Sequence, residues 1–537
     1  MVRRRLAIVA LTVFAVAFAV RMAPTVWTPY PFNPDGFVFA AQARDSIAAG
    51  SLVETVEPYG YTFPTLLSIV ALVTAVAPLW IAQPIIAFVG AVPSVIAVVL
   101  TWGIADRRGT APSVTAVASL AAGTTLALEG VFLRRTVAVS YEVLGILFVP
   151  LVAIAAYRFF RTGRRRWGLV TGAFLLVLPI THHLSAIMAA LTLTAICVLA
   201  GLGTWRRRTL SVVLLVVVWA YVGAYYWLVE PSYTGEPVEQ YGLFVAWIVL
   251  LCALAYWLST AAPAVTRGTL GGGLLFGFAV VVADAVWGVF PGTMAPPSLL
   301  LVLLAPLVVL AALGGWGVPN ATGPRGPRAV VLALLLAPLV WVGFSLTRGV
   351  DPAIEIFLQR GQTFAHLAVV VSAGVGIVDL AGRTRPRSRR TVAVALAVVL
   401  CLCALASLPI AFVGLEALSY QGTTTSEEFA AATFATTTLG PEWTSDDHLT
   451  RIAGNYYEVG GSSQPAADWL REGGGELDCP TALQSSWQTV GAQQYPEAPV
   501  TISQPAYDAA IDGGHAIYAT TGSDPVTIVV PTGVPAC

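Results

Sequence analysis

The stretch PYPFNPDGFVFAAQARDSIAAG, Pro29–Gly50, follows closely on the first apolar run of a chain built mostly of such runs. Its Asn-Pro-Asp-Gly segment predicts a turn that presents Asp35, with Gly36 relieving the backbone. Residues 37–49 predict a short helix at the membrane interface, aromatics toward lipid, stopped by Gly50. An acid placed there either caps that helix or does chemistry, and the surroundings decide which.

Composition settles the solvent. Of 537 residues 57% are hydrophobic and 11% charged, with mean hydropathy +0.77, more apolar surface than a soluble core can hide. The expected fold class is an all-α polytopic membrane protein. At roughly 20 residues per crossing, about thirteen transmembrane helices are expected, near 6–21, 83–104, 112–132, 141–157, 168–181, 185–203, 209–229, 241–259, 270–290, 298–317, 329–346, 363–381 and 391–412. All 29 basic residues are arginine, and they gather between the apolar runs. With the N-terminus in the cytoplasm, 21 of them fall in cytoplasmic loops and 8 outside, as the positive-inside bias requires. Residues 62–80 are also long and apolar enough to cross, but a crossing there would leave 9 arginines inside and 20 outside. They are therefore expected to lie along the outer leaflet as a juxtamembrane helix. The first run follows Arg3, Arg4 and Arg5 like a signal peptide, yet no small-residue cleavage site stands out, and it reads as a retained anchor.

A transmembrane domain is thus expected over 1–412, with a first outer loop over 22–82, and an extracytoplasmic soluble α/β domain over 413–537, where Thr, Gly, Ser, Asp and Glu take over. There TTSEEF predicts a helix capped by Ser426, SSQPAADWL a second with Pro465 near its first position, and TIVVP a strand. Cys479 and Cys537 lie in this tail and can pair if it faces an oxidising compartment. The other four cysteines lie in apolar runs without metal-ligand spacing.

In this topology nearly all acids face outward. Asp35 lies in the first outer loop; Glu142 begins the crossing after the second, next to Arg134 and Arg135, which defy the inside bias. Glu142 either serves a site or favours the helix N-terminus and pairs with those arginines. His182 and His183 in LPITHHLSA sit between two short arms, which places them below the outer surface in a cavity, as a site or a polar network. The last outer loop carries Arg348, Asp351, Glu355, Arg360 and His366. Arginines at that boundary either grip a lipid-linked phosphate through the two-point guanidinium fork or snorkel to the interface. Asp284 is an intramembrane acid near an outer end and a functional candidate by that position. No P-loop, GxGxxG, HExxH or GxSxG occurs in a credible setting, which argues against cytoplasmic nucleotide use and the hydrolases those motifs mark.

Four segments in order, NPDGFVFAAQARDSIAAG, AFVGAVPSVIAVVLTW with DRRG, RRTVAVSYEV and LQRGQTFAHLAVVVSAGVGI, resemble the GT-C superfamily of membrane glycosyltransferases, most closely the oligosaccharyltransferase catalytic subunit. The first looks like that family's first acidic motif and the second like its second span. The third is similar to the Arg-Thr segment before the second acidic motif, with Glu142 at its first acidic position. The fourth resembles the late helix that approaches the lipid phosphate. The resemblance covers residues 1–230 and 355–380 and implies a GT-C-like fold. It further implies transfer of a sugar from a polyprenyl-phosphate-linked donor to a glycan, lipid or protein acceptor at the outer face of the cell membrane, with no nucleic-acid partner. Asp35 and Glu142 would then be catalytic, and would hold a Mg or Mn ion if one is used. Arg360, His182, His183, Arg348, Arg135 and Asp284 would bind substrate. Leu144 stands where a second acid belongs and the tail lacks the WWDYG acceptor motif, so neither protein N-glycosylation nor a tightly bound metal is implied.

Two other readings stay open: a transporter or lipid flippase with Asp284 and the histidines as a relay, and a non-catalytic scaffold of the same fold. Against transport stand the lack of repeat halves and the long outer loop and tail.

Overall fold

The computed structural model describes all residues except 1, 203–204, 230–239, 290–296, 349–351, 496 and 534–536; the side chains at 2, 206, 274, 278, 281, 285, 352–357, 416 and 418 also lie outside the description. Asp351 and the Glu355 side chain fall in this excluded set.

The helices are α1 (Val2–Arg21), α2 (Asp35–Ala49), α3 (Thr62–Thr74), α4 (Pro78–Arg107), α5 (Pro112–Leu128), α6 (Gly130–Val137), α7 (Glu142–Thr162), α8 (Arg165–Val177), α9 (His183–Gly201), α10 (Trp205–Val229), α11 (Tyr241–Thr260), α12 (Gly272–Trp287), α13 (Ser298–Leu304), α14 (Leu307–Ala321), α15 (Pro327–Arg348), α16 (Pro352–Thr363), α17 (His366–Gly382) and α18 (Arg389–Ser407). Among the described residues nine helices are long and apolar enough to cross a membrane, or up to eleven if each of two bent pairs counts once. Eleven of the thirteen expected crossings coincide with a single helix each, and those near 112–132 and 298–317 each fall on a bent pair, α5 with α6 and α13 with α14. The count is lower because α1 carries arginines at both ends and α8, with 13 residues, is too short to span.

Packing divides the bundle into a centre and a lipid-facing rim. The apolar stretches of α9 and α15 are 83% and 78% buried, whereas those of α10 and α11 are 17% and 22% buried and turn their Val, Leu and Trp side chains outward. Small residues set the closest approach at the centre: a Cβ on Gly317 of α14 would lie 1.9 Å from the Ser372 carbonyl oxygen of α17.

The connections separate cleanly into two ends. At one end Asp379 meets Arg108 (3.3 Å), Arg383 (3.1 Å) and the Trp316 indole (3.0 Å), and Arg267 lies over the Trp316 ring. At the other end the 22–77 segment, the α6–α7 turn, the α8–α9 turn, α16 and the tail come together. The arginine partition assigns these two groups of loops to opposite sides of the membrane, and the structure keeps them apart.

α3 is a 13-residue helix, too short to cross, with Phe63, Leu67 and Ala71 buried and Ile69, Leu72 and Val73 exposed. That pattern suits a helix lying in the interface. The 62–80 run is split, because its end, Pro78–Trp80, already belongs to α4. α2 departs from expectation in a useful way: it starts at Asp35, and its aromatics face protein instead of lipid. Phe37 is fully buried against Tyr30, Phe429 and Tyr456, and Phe39 packs on Phe63 and Tyr141. Burying each ring is worth about 2 kcal/mol, and Phe37 ties the outer loop to the tail. Gly50 ends α2 in the left-handed region at φ 68°.

The tail contributes α19 (Ser426–Leu439), α20 (Asp447–Tyr457), α21 (Gln464–Arg471), α22 (Gln504–Asp512) and an antiparallel sheet of β1 (Thr481–Gln484), β2 (Gly514–Ala519) and β3 (Val526–Pro531) in the order β1-β3-β2, with Thr481 and Ala516 both opposite Val529. The α19 cap is Thr425, not Ser426, and a capping box with Glu428 closes it. Cys479 and Cys537 form a disulfide.

Candidate functional site

The Asn33 turn is fixed from three directions. Asn33 takes φ 104°, donates its amide N–H to Gly422 O (2.7 Å) and its side-chain Nδ2 to Val139 O (3.2 Å), and accepts from the Tyr420 hydroxyl. Pro34 is the helix cap, so Asp35 is released from capping. Its half-exposed carboxylate instead accepts from Arg451 Nη2 of α20 at 2.7 Å. Asn455, one turn along α20, donates to Pro34 O at 2.9 Å and holds the same register.

Glu142 is the first residue of α7, with its amide on Ser140 Oγ at 3.2 Å. It is buried, and its Oε1 has no hydrogen-bond partner among the described residues. Arg135 is acted on by Glu142 as an attractive charge and by Arg360 as a repulsive one. Arg360 of α16 also leaves its buried Nε without a partner among the described residues. Arg134, next in line, sits among Arg135, Tyr420 and Tyr495.

His182 and His183 are buried, as their short arms require. His182 caps α9: its Nδ1 accepts from the Ser185 amide at 3.3 Å and pairs with Ser185 Oγ at 2.8 Å. Its ring lies 5.2 Å from Tyr141 and 4.8 Å from His183, which meets Tyr59 edge-on. Arg360 and Arg135 act on His182, and Arg360 and Glu142 on His183. This closeness rests on Gly145, where a Cβ would lie 1.9 Å from Ser185 Oγ.

Asp35, Arg135, Glu142, His182, His183 and Arg360 thus converge on one end of the bundle. Asp284 lies on α12, whose main neighbour is α14, away from the elements that carry this group. Arg348 closes α15. A cavity of about 290 Å³ opens beside the Asn33 turn, between Phe32, Phe412 and Leu415 on one side and Gln421, Ser486 and Asp524 on the other.

Sequence reasoning missed Arg451, Tyr141, Tyr420 and Tyr495. Arg451 left a signal, being one of only two arginines in the tail. It also missed a buried brace beneath the site, in which Glu129 caps α6 and pairs with His366 at the start of α17, while Arg21 bonds Thr136 Oγ1 at 2.6 Å. The brace joins the bend after α5 to the break before α17.

The donors here do not fit a metal ion. Among the described residues no group of three or more His, Cys, Asp or Glu side chains is placed so that it could hold a metal ion. The Asp35 carboxylate is engaged by a guanidinium, and Glu142 lies near enough to the Arg135 guanidinium to act on it.

The fold, with this acid–arginine arrangement at one end of the bundle, defines the class: a polytopic helical protein with a GT-C-like fold and a small C-terminal sheet domain. Among solved structures the chain is similar to the Archaeoglobus fulgidus oligosaccharyltransferase in its apo form, with TM-score 0.51 and 14% identity over 84% of this chain and 64% of that one. A structure of the same protein in complex with Zn and sulfate gives TM-score 0.50 and 14% identity over 84% and 62%. The chain therefore spans less than two thirds of that protein's length. No family model matches the sequence, and comparison with curated proteins finds no significant match.

Proposed function

We propose that this chain is a membrane glycosyltransferase that moves a sugar from a polyprenyl-phosphate-linked donor to an acceptor hydroxyl at the outer face of the cell membrane. The observation that carries this reading is the convergence of half-exposed Asp35 and buried Glu142 with Arg134, Arg135, Arg360 and Arg451, four of the eight arginines assigned to the outside. An anionic leaving group needs cations beside it, and an attacking hydroxyl needs a base. The acceptor oxygen attacks the anomeric carbon, its proton passes to Asp35, and the bond from that carbon to the phosphate oxygen breaks. The electron pair stays on the phosphate, where Arg360 and Arg135 stabilise it. His182 and His183 form the wall behind these arginines, and the acceptor enters through the cavity beside the Asn33 turn. Arg348 and Asp284 are given no part in the reaction.

The tail is the outer domain of this enzyme, and the Cys479–Cys537 disulfide supports an oxidising compartment. Purified protein given a synthetic polyprenyl-phosphate sugar should release or transfer the sugar; full retention on the lipid with a panel of hydroxyl acceptors would overturn the proposal. A transporter relay is disfavoured by the place of Asp284, away from the histidines.

A further inference from the structure

The geometry points to Arg451 as the cation that serves Asp35 in place of a divalent metal ion, so that the tail domain completes the reacting site with a side chain of its own. This rests on the transferase reading above. Arg451 donates to Asp35 Oδ1 at 2.7 Å, its guanidinium lies 6.0 Å from the Tyr420 ring centre, and Asp447, four residues earlier on α20, is a second acid acting on it. Tyr420 in turn donates to Asn33, so carboxylate, guanidinium and turn form one connected unit. Burial opposes the Arg451 charge, but the Asp35 carboxylate, with Asp447 adding to it, outweighs that cost and keeps the guanidinium protonated.

Three features make the substitution of cation for metal physical. Leu144, in the first turn of α7 beside Glu142, is buried and apolar and offers no further oxygen ligand. Asp35, Glu142 and Asp447 are outnumbered by Arg134, Arg135, Arg360 and Arg451, so a divalent ion would enter against net positive charge. The pair is also anchored apart from its own charge, by Asn455 on Pro34 O and by Arg44 stacked on Tyr456, donating to its carbonyl at 3.1 Å. The tail is therefore docked so that Arg451 reaches Asp35, and Arg451 orients the base without touching the sugar's reacting carbon.

Manganese binding tests this with no sugar donor present, so a failed transfer assay and a failed metal prediction are told apart. Full-length protein in detergent is titrated with Mn²⁺ and bound ion is followed by electron paramagnetic resonance. Wild type and Arg451→Lys should show no one-to-one site. Arg451→Gln, which frees the carboxylate and removes one of the opposing charges, should raise the weak background affinity for Mn²⁺ about tenfold, and adding Asp35→Asn should remove that gain. Stoichiometric Mn²⁺ on wild type that Asp35→Asn abolishes would overturn the proposal, as would an Arg451→Gln chain that gains no binding while its tail keeps native hydrogen-exchange protection. If Arg451→Gln undocks the tail, the wild-type and Arg451→Lys titrations still decide. Sugar release by wild type should be unchanged by excess EDTA.

Discussion

In the proposed transfer Asp35 is the residue on which the chemistry turns, and its neighbours separate chemistry from architecture. The turn is held by Asn33 and the cap is Pro34, so the Asp35 charge is free of both duties. Asp35→Asn should leave donor binding and folding in place and cut transfer by a factor on the order of 10² or more; transfer at the wild-type rate would remove Asp35 from the mechanism. Arg360 carries the matching expectation for the donor. Its buried Nε lacks a partner among the described residues, which suits a fork that waits for phosphate. Arg360→Ala should weaken binding of a polyprenyl-phosphate sugar, and Arg360→Lys should restore it only in part. Equal affinity in all three proteins would refute the assignment.

At the level of elements, the site depends on how closely α7 and α9 approach. Gly145→Ala puts a methyl 1.9 Å from Ser185 Oγ, so the α9 cap with His182 must shift. Overpacking of this kind costs about 1–3 kcal/mol, and thermal unfolding in detergent together with donor affinity will read it. In the tail, buried Glu428 and His448 stand 3.7 Å apart between α19 and α20. Burial alone would raise Glu428 and lower His448. Their attraction outweighs it, holding the Glu428 carboxyl down at about 2 and the His448 imidazole above its usual value. Buried Asp446 is raised to about 6. A raised histidine stabilises fully below its unfolded value of 6.5 and loses that contribution as pH climbs through the folded one. Glu428 stabilises above 4.5 and loses its share as pH falls toward 2, while Asp446 costs stability as pH rises from 3.8 to about 6. The tail should therefore be tightest in mild acid and loosen above pH 6.5. Hydrogen exchange of α19 and α20 in the full-length protein checks this; His448→Gln should flatten the alkaline slope, and an unchanged slope would count against the pair.

For the whole molecule the prediction is sidedness. The two loop groups meet at opposite ends of the bundle, and the arginine bias sets which end is cytoplasmic. A cysteine replacing Arg164 or Arg387 should resist an impermeant thiol reagent in intact cells, whereas one placed at Ser462 in the tail should react. Labelling at Arg164 would invert the scheme. The disulfide closes a separation of 58 residues, which in the chain-entropy model is worth about 4 kcal/mol to the tail. Replacing both cysteines by serine should sensitise the tail to protease while leaving the bundle intact.

The positions of the helices, the tail strand and the gathering of Asp35, Glu142, His182, His183 and Arg360 at one end of the bundle were legible in the sequence, because each rests on local quantities: run length against bilayer thickness, arginine count per loop, turn and stop residues. The direction of the α2 aromatics, the pairing of Asp35 with Arg451, and the Glu129–His366 brace were not. Those contacts join residues 416 and 237 positions apart, and no periodicity or spacing encodes which distant side chain arrives. Phe37 could face lipid as favourably as protein, since both are apolar; only the docked tail decides between them. The membrane makes topology readable from composition, whereas the site's charge balance is decided by packing, where one guanidinium brought to 2.7 Å settles what a carboxylate does.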